Sequence, residues 1–284
     1  MNSTSGALLE TQNLNKTFGA VTAADDINVT VTHGEIVGII GANGAGKTTF
    51  VNMVTGYLKP TSGKIYLRGN DVTNLKPRQI TRLGMSRSFQ VPQVFLTQTV
   101  FENLIEAAGI ADHLAGGSML KPLYRPALIE TSDRILQRYH LTDYRDQETS
   151  TLPQGIRKLL DIAMAMVSNP SVLLLDEPTS GISTEEKFGL MDVVMQALKE
   201  ADVTVLFIEH DMEIIERYVS RVLAFYEGRI IADKPPELAL KDPDVRQYVI
   251  GDYDEDAGTS IPGHSDTAFE IPGIRNPDGR SDHA

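Results

Sequence analysis

Residues 41–48 of the sequence read Gly41-Ala42-Asn43-Gly44-Ala45-Gly46-Lys47-Thr48 and match the pattern G-x-x-x-x-G-K-[ST] at each fixed position. The motif follows a short β-branched apolar segment at residues 35–40, and a helical pattern begins at Lys47. A strand, a glycine-rich loop and a helix in this order direct backbone N–H groups and the positive end of the helix at phosphate oxygens. The sequence therefore predicts a phosphate-binding loop between a buried strand and a helix.

The residues of this loop are expected to bind the phosphates of a nucleotide. Lys47 is expected to reach the outer phosphates, and the Thr48 hydroxyl is expected to ligate Mg²⁺. The complete set of expected phosphate contacts is Gly41, Ala42, Asn43, Gly44, Ala45, Gly46, Lys47, Thr48 and Thr49.

Two further apolar segments end in polar side chains that suit phosphate chemistry. The first reads Val172-Leu173-Leu174-Leu175-Asp176-Glu177, and the second, at residues 203–208, is followed by His210. In open α/β sheets, ligands bind at the carboxyl ends of the strands. We therefore expect Asp176 to hold Mg²⁺ through water and Glu177 to accept a proton from an attacking water. His210 is expected to donate a hydrogen bond to the terminal phosphate.

The composition excludes several other functions. Acidic residues (38) outnumber basic ones (26), giving a formal net charge of -12, so binding to nucleic acid or to anionic lipid through a basic surface is not expected. The absence of Cys excludes thiol catalysis, disulfides and Cys-ligated zinc. No apolar run approaches the ~20 residues that span a bilayer, and the first six residues do not resemble a signal peptide. Any membrane-spanning part is therefore expected on another chain.

The pattern of apolar residues predicts an α/β fold. Alternation over residues 8–31 indicates antiparallel strands. Further strands are predicted at residues 35–40, 64–67, 171–176, 203–208 and 222–225, and helices at residues 102–108, 127–139, 155–167 and 185–201. Alternating strands and helices favour a mainly parallel sheet that is covered on both faces. Residues 251–284 are acidic, punctuated by Pro and Gly, and predicted to be a disordered tail.

Over about residues 7–250 the chain resembles the ATP-binding cassette (ABC) ATPases, because the phosphate loop, the acidic strand end and the histidine follow in that order. The resemblance implies a P-loop NTPase cassette with a mainly parallel core sheet, an antiparallel β subdomain and an inserted helical subdomain at about residues 91–165. It implies that Gln90, in Arg87-Ser88-Phe89-Gln90, ligates Mg²⁺ and couples to a membrane partner. It also implies that Phe18 stacks on adenine, although Phe18 could instead belong to the core. The implied cofactors are ATP and Mg²⁺.

A narrower resemblance links the chain to the ATPases of branched-chain amino-acid importers and of the related urea and amide importers. It is carried by the segments Thr55-Gly56-Tyr57, Pro60-Thr61-Ser62-Gly63, Thr99-Val100-Phe101-Glu102-Asn103 and Ile208-Glu209-His210-Asp211-Met212, and by an insertion at residues 122–126. The resemblance implies transmembrane permease subunits as partners and, indirectly, a periplasmic or extracellular solute-binding protein. It places the chain as a peripheral protein on the cytoplasmic face of the cell membrane.

Two segments depart from the family pattern. The signature, usually Leu-Ser-Gly-Gly-Gln or Leu-Ser-Tyr-Gly-Gln, reads here Leu152-Pro153-Gln154-Gly155-Ile156, so Pro153 replaces the serine hydroxyl that would bind a γ-phosphate. A later segment reads Ser180-Gly181-Ile182-Ser183 and lacks the usual final Asp or Asn. Pro is tolerated at a helix start, but a lost hydrogen bond to a charged group is expected to cost about 1.5–3 kcal/mol.

The positions of these departures favour a heterodimer over a homodimer. By the resemblance, two cassettes dimerise head to tail, and each nucleotide lies between one chain's phosphate loop and the other chain's signature. The residues that serve this chain's own nucleotide are intact, whereas Pro153 and Ser183 act mainly on the partner's nucleotide. We therefore expect a second ATPase with an intact signature as partner, with hydrolysis at the site built on this chain's phosphate loop. The alternative is a homodimer in which Pro153 is tolerated.

Three other functions fit the sequence less well. A cassette ATPase of DNA repair carries a long coiled coil between the Gln and the signature, but only 62 positions without sustained heptads separate Gln90 from Leu152. The second is a GTPase or a small-molecule kinase. A GTPase needs Asn-Lys-x-Asp, and Asn15-Lys16-Thr17-Phe18 lacks the Asp and precedes the phosphate loop. A regulatory subunit that does not hydrolyse ATP would not need Glu177 and His210. A soluble or regulatory ABC-type ATPase that is not coupled to transport stays the alternative.

Overall fold

The structure is a computed structural model and describes residues 6–118 and 120–251. Within these ranges the chain forms ten strands: β1 (Ala7–Phe18), β2 (Val21–Thr32), β3 (Ile36–Gly41), β4 (Ser62–Leu67), β5 (Asn70–Asp71), β6 (Met85–Arg87), β7 (Val172–Asp176), β8 (Thr204–Ile208), β9 (Arg221–Tyr226) and β10 (Arg229–Lys234). The predicted acidic tail lies outside the described residues, apart from Gly251.

Nine α-helices occupy the same ranges: α1 (Lys47–Val54), α2 (Pro77–Arg82), α3 (Val100–Leu114), α4 (Pro126–Arg138), α5 (Gln154–Met166), α6 (Thr184–Glu200), α7 (Met212–Tyr218), α8 (Pro236–Ala239) and α9 (Pro243–Val245). A π-helical turn, Arg246–Ile250, follows α9, and two 3₁₀ turns, Thr142–Tyr144 and Thr149–Thr151, lie between α4 and α5. Among the described residues, no helix combines the length and the hydrophobicity that crossing a membrane requires.

The central sheet has six strands in the order β10-β9-β3-β8-β7-β6. All of its neighbouring strands are parallel except β9 and β10, which form an antiparallel pair at one edge. The register pairs Asp176 at the end of β7 with Ile208 at the end of β8, and β3 leads into the glycine-rich loop at the same edge. The prediction of a mainly parallel sheet is confirmed, and the sheet brings the predicted site residues to one edge.

Both faces of the central sheet are buried. On β7, Leu173 and Leu175 belong to the core formed with α3, α4, α5 and α6, whereas Val172 and Leu174 belong to the core formed with α1 and the second sheet. A strand that is covered on both sides must be apolar at every position, which explains its uninterrupted apolar sequence. Residues 91–165 contain α3, α4 and most of α5, and their treatment as a separate helical subdomain stays a prediction.

A second, antiparallel sheet has the strand order β2-β1-β4-β5 and confirms the predicted antiparallel strands. The turn between β9 and β10 connects this sheet to the phosphate loop. Gly228 accepts a hydrogen bond from the Asp25 N–H at 2.8 Å, and its own N–H donates to the Ala45 carbonyl at 2.9 Å. The antiparallel sheet is thereby held against one side of the loop.

Candidate active site

The glycine-rich loop has the backbone that the motif predicts. Helix α1 begins at Lys47, and Gly46 before it has a left-handed backbone with φ of 106°. A Cβ atom at Gly46 would lie 2.6 Å from the Ala23 carbonyl oxygen, and one at Gly41 would lie 2.5 Å from the Phe225 carbonyl oxygen. Because neither distance is possible for real atoms, these two glycines allow the loop to approach the strands beside it.

The Lys47 side chain folds back over the loop. Its Nζ donates hydrogen bonds to the carbonyl oxygens of Gly41, at 2.5 Å, and Ala42, at 3.0 Å. Burial lowers the pKa of the Lys47 ammonium, while the nearby carboxylates of Glu177 and Asp176 oppose that shift. The two carboxylates therefore help to keep a positive charge in the loop.

A small cleft of about 130 Å³ brings most of the predicted phosphate contacts together with the two predicted catalytic residues. Its lining consists of Asn43, Gly44, Ala45, Gly46, Lys47, Thr48, Thr49, Glu177, Ile208 and His210. The lining joins the loop, the end of β7 and the end of β8, which are far apart in the sequence.

The Glu177 carboxylate is held from two sides. The side-chain amide of Gln90 donates to Glu177 Oε2 at 2.6 Å, and His210 Nε2 lies 2.9 Å from Glu177 Oε1. Glu177 also has a left-handed backbone with φ of 48°, which is uncommon for a residue with a side chain. Its N–H donates to the Ile208 carbonyl at 2.9 Å. The geometry orients one carboxylate at the mouth of the phosphate cleft.

Asp176, the predicted metal ligand, pairs with an arginine that sequence reasoning did not single out. Arg87 Nη2 lies 2.5 Å from Asp176 Oδ2, and Arg87 Nη1 donates to the side chain of Asn52 at 2.7 Å. The guanidinium also lies over the rings of Phe89, 5.0 Å from its centroid, and Tyr57, 5.9 Å from its centroid. The one feature of the sequence that could have indicated Arg87 is its position three residues before Gln90.

The donor set fits Mg²⁺. The Thr48 hydroxyl, the Asp176 carboxylate and the Gln90 side-chain oxygen are hard oxygen ligands. Mg²⁺ in such sites keeps several waters and is shared with phosphate oxygens of the substrate, so few protein ligands are needed.

Two charged residues on α5 also belong to the site, and sequence reasoning did not identify them. Lys158 donates to the backbone carbonyls of Gln90, at 2.7 Å, and Glu177, at 2.8 Å. Asp161 accepts hydrogen bonds from the backbone N–H groups of Phe89, at 3.3 Å, and Gln93, at 2.8 Å. The usable signal was their position: both fall within the apolar stripe of a helix, where a charge needs a specific partner.

Phe18 lies at the end of β1 and is 50% exposed, so the alternative that it belongs to the core is wrong. Its ring is covered on one side by the Lys16 ammonium, 5.0 Å from the ring centroid. Phe18 is not among the residues that line the phosphate cleft, and its role as an adenine contact stays a prediction.

The altered signature still starts a helix. Leu152 is buried, and exposed Pro153 is the N-cap of α5, with its carbonyl accepting the Arg157 N–H at 3.1 Å. No side-chain hydrogen bond caps this helix. Gln154 Nε2 reaches the Ser180 carbonyl at 3.4 Å, and Ser183 caps α6 by accepting the Glu186 N–H at 3.3 Å. Both departures from the family pattern are therefore compatible with well-formed helices.

The chain is similar to known proteins over most of its length. The sequence profile of the ABC transporter family matches residues 24–180. The probable branched-chain amino acid transport ATP-binding protein LivG of Archaeoglobus fulgidus is 35% identical over 253 residues, which cover 88% of this chain and 97% of the relative. The high-affinity branched-chain amino acid transport ATP-binding protein LivG of Escherichia coli K12 is 35% identical over 250 residues, covering 86% and 98%.

Solved structures show the same fold. The ADP conformation of an ATP-binding cassette of an ABC transporter superimposes with a TM-score of 0.75 at 30% identity, covering 85% of this chain and 97% of that one. A nucleotide-free ATP-binding cassette gives a TM-score of 0.73, also at 30% identity, with 84% and 97% covered.

Proposed function

Because this chain belongs to the ABC transporter family of ATP-binding proteins, we propose that it hydrolyses ATP to drive an importer of branched-chain amino acids or a related small polar solute, such as urea or an amide. The observation that carries the proposal is the Glu177 carboxylate, held between Gln90 and His210 at the mouth of the phosphate cleft. Relatives that align along nearly their whole length, and whose names specify branched-chain amino acid transport, support the solute class.

Hydrolysis uses the groups that converge on the cleft. The loop N–H groups and Lys47 bind the β- and γ-phosphates, and Phe18 stacks on the adenine. Glu177 accepts a proton from the attacking water, while His210 orients Glu177 and donates to the γ-phosphate. Thr48, Asp176 and Gln90 would hold Mg²⁺, which when bound would neutralise negative charge on the phosphate oxygens.

The proposed partners follow from the family and from the surface beside Gln90. Permease subunits in the membrane receive the movement of the cassette, and a solute-binding protein delivers the solute to them from the other side. A cavity of about 490 Å³ beside the Gln90 segment offers the permease a contact surface that includes Tyr57, Phe89, Phe95 and Ile110. The chain is then a peripheral protein on the cytoplasmic face of the membrane.

A second, different cassette completes the ATPase. Its intact signature faces the nucleotide on this chain's phosphate loop, whereas Pro153 of this chain faces the partner's nucleotide. The site with Glu177 then performs most of the hydrolysis. Replacing the partner's catalytic glutamate is expected to reduce transport far less than Glu177→Gln does, and equal losses would contradict the asymmetry.

The test of the importer function is ATP-driven uptake into proteoliposomes that contain this chain, the second cassette and the permease subunits. Labelled leucine, valine, urea and acetamide are offered separately in the presence of the solute-binding protein. Uptake of one class that requires ATP and disappears with Glu177→Gln supports the proposal. ATP hydrolysis that is indifferent to the permease, without uptake of any solute, would instead support a soluble or regulatory ATPase.

A further inference from the structure

Helix α5 holds the segment around Gln90 at three backbone positions. The Asp161 carboxylate accepts the N–H groups of Phe89 and Gln93, and the Lys158 ammonium donates to the carbonyl of Gln90 between them. Lys158 and Asp161 are three residues apart and therefore lie on the same face of the helix. A segment without regular secondary structure is thus fixed to a rigid element on both sides of its functional side chain.

Lys158 also fixes the backbone of Glu177. Its Nζ donates to the Glu177 carbonyl at 2.8 Å, while the Glu177 N–H is bound by Ile208. Because the left-handed backbone of Glu177 costs free energy, it persists only where such contacts determine it from more than one side. The Lys158 contact is one of three hydrogen bonds to this backbone, beside those with the Ile208 carbonyl and the Ser180 N–H.

The burial of Lys158 argues against a purely structural role in which its charge needs no particular partner. The residue is 2% exposed, and burial lowers the pKa of its ammonium, although Asp161 and Glu209 oppose that shift. An apolar residue at this place in the helix would avoid the desolvation of a charge. The ammonium instead donates to two carbonyls, both of which belong to residues of the candidate active site.

Helix α5 begins with the signature. Gln154 lies four residues before Lys158, one helical turn away on the same face, and its side chain reaches the Ser180 carbonyl. The first turn of this helix is the part that the proposed function places against the partner's nucleotide. A displacement of the helix axis would therefore move the Gln90 and Glu177 backbones together.

We propose that Lys158 is a positioning residue that ties the backbones of Gln90 and Glu177 to the signature helix, so that contact of the signature with the partner's nucleotide sets the position of this chain's own Glu177. The inference rests on the proposed function, because it assigns Glu177 as the base. Lys158 itself is not among the residues that line the phosphate cleft.

The test compares Lys158→Met, Lys158→Arg and the matched control Lys187→Met. Lys187 is 7% exposed and its Nζ binds Asp211 and Glu213 at 2.6 and 2.9 Å, so its replacement also removes a mostly buried ammonium but leaves the Gln90 segment untouched. Hydrogen exchange of the Gln90 and Glu177 peptides is measured on the full chain, and kcat and KM for ATP on the assembled ATPase.

Lys158→Met is expected to speed exchange in both peptides and to lower kcat by about 10- to 100-fold, the effect of a displaced catalytic group, with KM changed less than about threefold. Lys158→Arg, which keeps the charge and the donors, is expected to restore most of kcat, and Lys187→Met is expected to leave exchange in both peptides unchanged. If Lys158→Met does not fold, Lys158→Gln replaces it under the same criteria.

The inference is overturned if Lys158→Met keeps its kcat, or if the Lys187→Met control accelerates exchange in the same peptides to the same extent. If no solute is taken up, but the Lys158 variants still change kcat and exchange as predicted, only the importer function is contradicted. Unchanged hydrolysis in Glu177→Gln would remove the assignment of the base, and the inference with it.

Discussion

The guanidinium of Arg87 and the carboxylate of Asp176 form an ion pair of 2.5 Å in which both side chains are nearly buried. The pair joins β6 to the end of β7 and lies between the expected metal site and the cavity lined by Tyr57 and Phe89. Truncation of one partner leaves the other charge buried without compensation, which costs far more than the loss of an exposed pair.

Arg87→Ala is therefore expected to lower the free energy of unfolding by about 3 kcal/mol. The control is Arg229→Ala, because Arg229 pairs with Asp25 but is mostly exposed, and its loss is expected to cost less than about 1 kcal/mol. Urea titrations of both variants measure the difference. Equal losses would show that burial does not strengthen the Arg87 contact.

His210→Ala is expected to lower kcat by about 100-fold or more, because the Glu177 carboxylate loses one of the two groups that orient it. ATP affinity should change little, since we propose that the loop N–H groups and Lys47 provide most of the phosphate contacts. Steady-state kinetics and nucleotide titration separate the two effects. His33→Ala, in an exposed turn beside Asp202, is the control and should keep normal kinetics, and a matching loss there would refute a specific role for His210.

Pro153→Ser should increase both the stability of the chain and ATP hydrolysis on the partner's phosphate loop, relative to Pro153→Ala. A serine at the N-cap of α5 can accept a backbone N–H, so the serine variant is expected to be more stable than the alanine variant by about 1 kcal/mol. In a heterodimer that also carries Glu177→Gln, the remaining hydrolysis occurs on the partner's phosphate loop. The rate of this remaining hydrolysis should be about 10- to 100-fold higher in the serine variant than in the alanine variant. Identical rates for the two variants would show that the lost hydroxyl is not limiting.

The stability of the protein should depend on pH through Asp161. Burial raises the pKa of this carboxyl from its ordinary 3.8 to about 6, against the two N–H donors and Lys158. Between pH 3.8 and about 6 the folded protein keeps a proton on Asp161 that the unfolded chain releases. The stabilisation from this proton is therefore complete at low pH and is lost as pH rises through about 6. Relative to Asp161→Asn, the unsubstituted protein should lose about 2 kcal/mol of stability from pH 4.5 to 7.5.

Urea unfolding at the two pH values measures this difference. The control is Asp71→Asn, because hydrogen bonds from Lys64 and Thr73 lower the pKa of Asp71 to about 2, so Asp71 is mostly ionised throughout the range. The stability difference between Asp71→Asn and the unsubstituted protein should change little with pH. A difference for Asp161→Asn that is equally constant would mean that its carboxyl titrates normally.

Much of the fold follows from the sequence because the periodicity of apolar residues and the positions of turn-forming residues indicate the same elements. The strand before the loop, the helix start at Lys47 and the apolar positions of α5 are where the pattern predicts them. Strand β4 begins at Ser62, two residues before its predicted start. Helices α2, α7, α8 and α9 and strands β5, β6 and β10 were not predicted. These elements are short and contain polar residues, whereas the equally short β7 and β8 are almost entirely apolar and were therefore recognised.

The sequence indicated candidate residues for the site one by one, but it did not indicate their contacts with one another. Gln90 and His210 lie 87 and 33 positions from Glu177, and the family pattern alone did not indicate that both contact its carboxylate. Arg87 and Lys158 escaped prediction because their partners are, respectively, a side chain on another strand and two backbone carbonyls. Such pairings exist only after the sheet has formed.

The proposed asymmetric ATPase is tested first by the steady-state ATPase rate of the purified chain. The rate is measured for the chain alone at several concentrations and with a second cassette that has an intact signature, beside Glu177→Gln. We predict ATP binding with little turnover for the chain alone, turnover on addition of the second cassette, and a loss of that turnover by at least about 100-fold in Glu177→Gln. Turnover that persists in Glu177→Gln would contradict the assignment of the base. Activity of the chain alone that rises faster than linearly with concentration would contradict the asymmetric heterodimer.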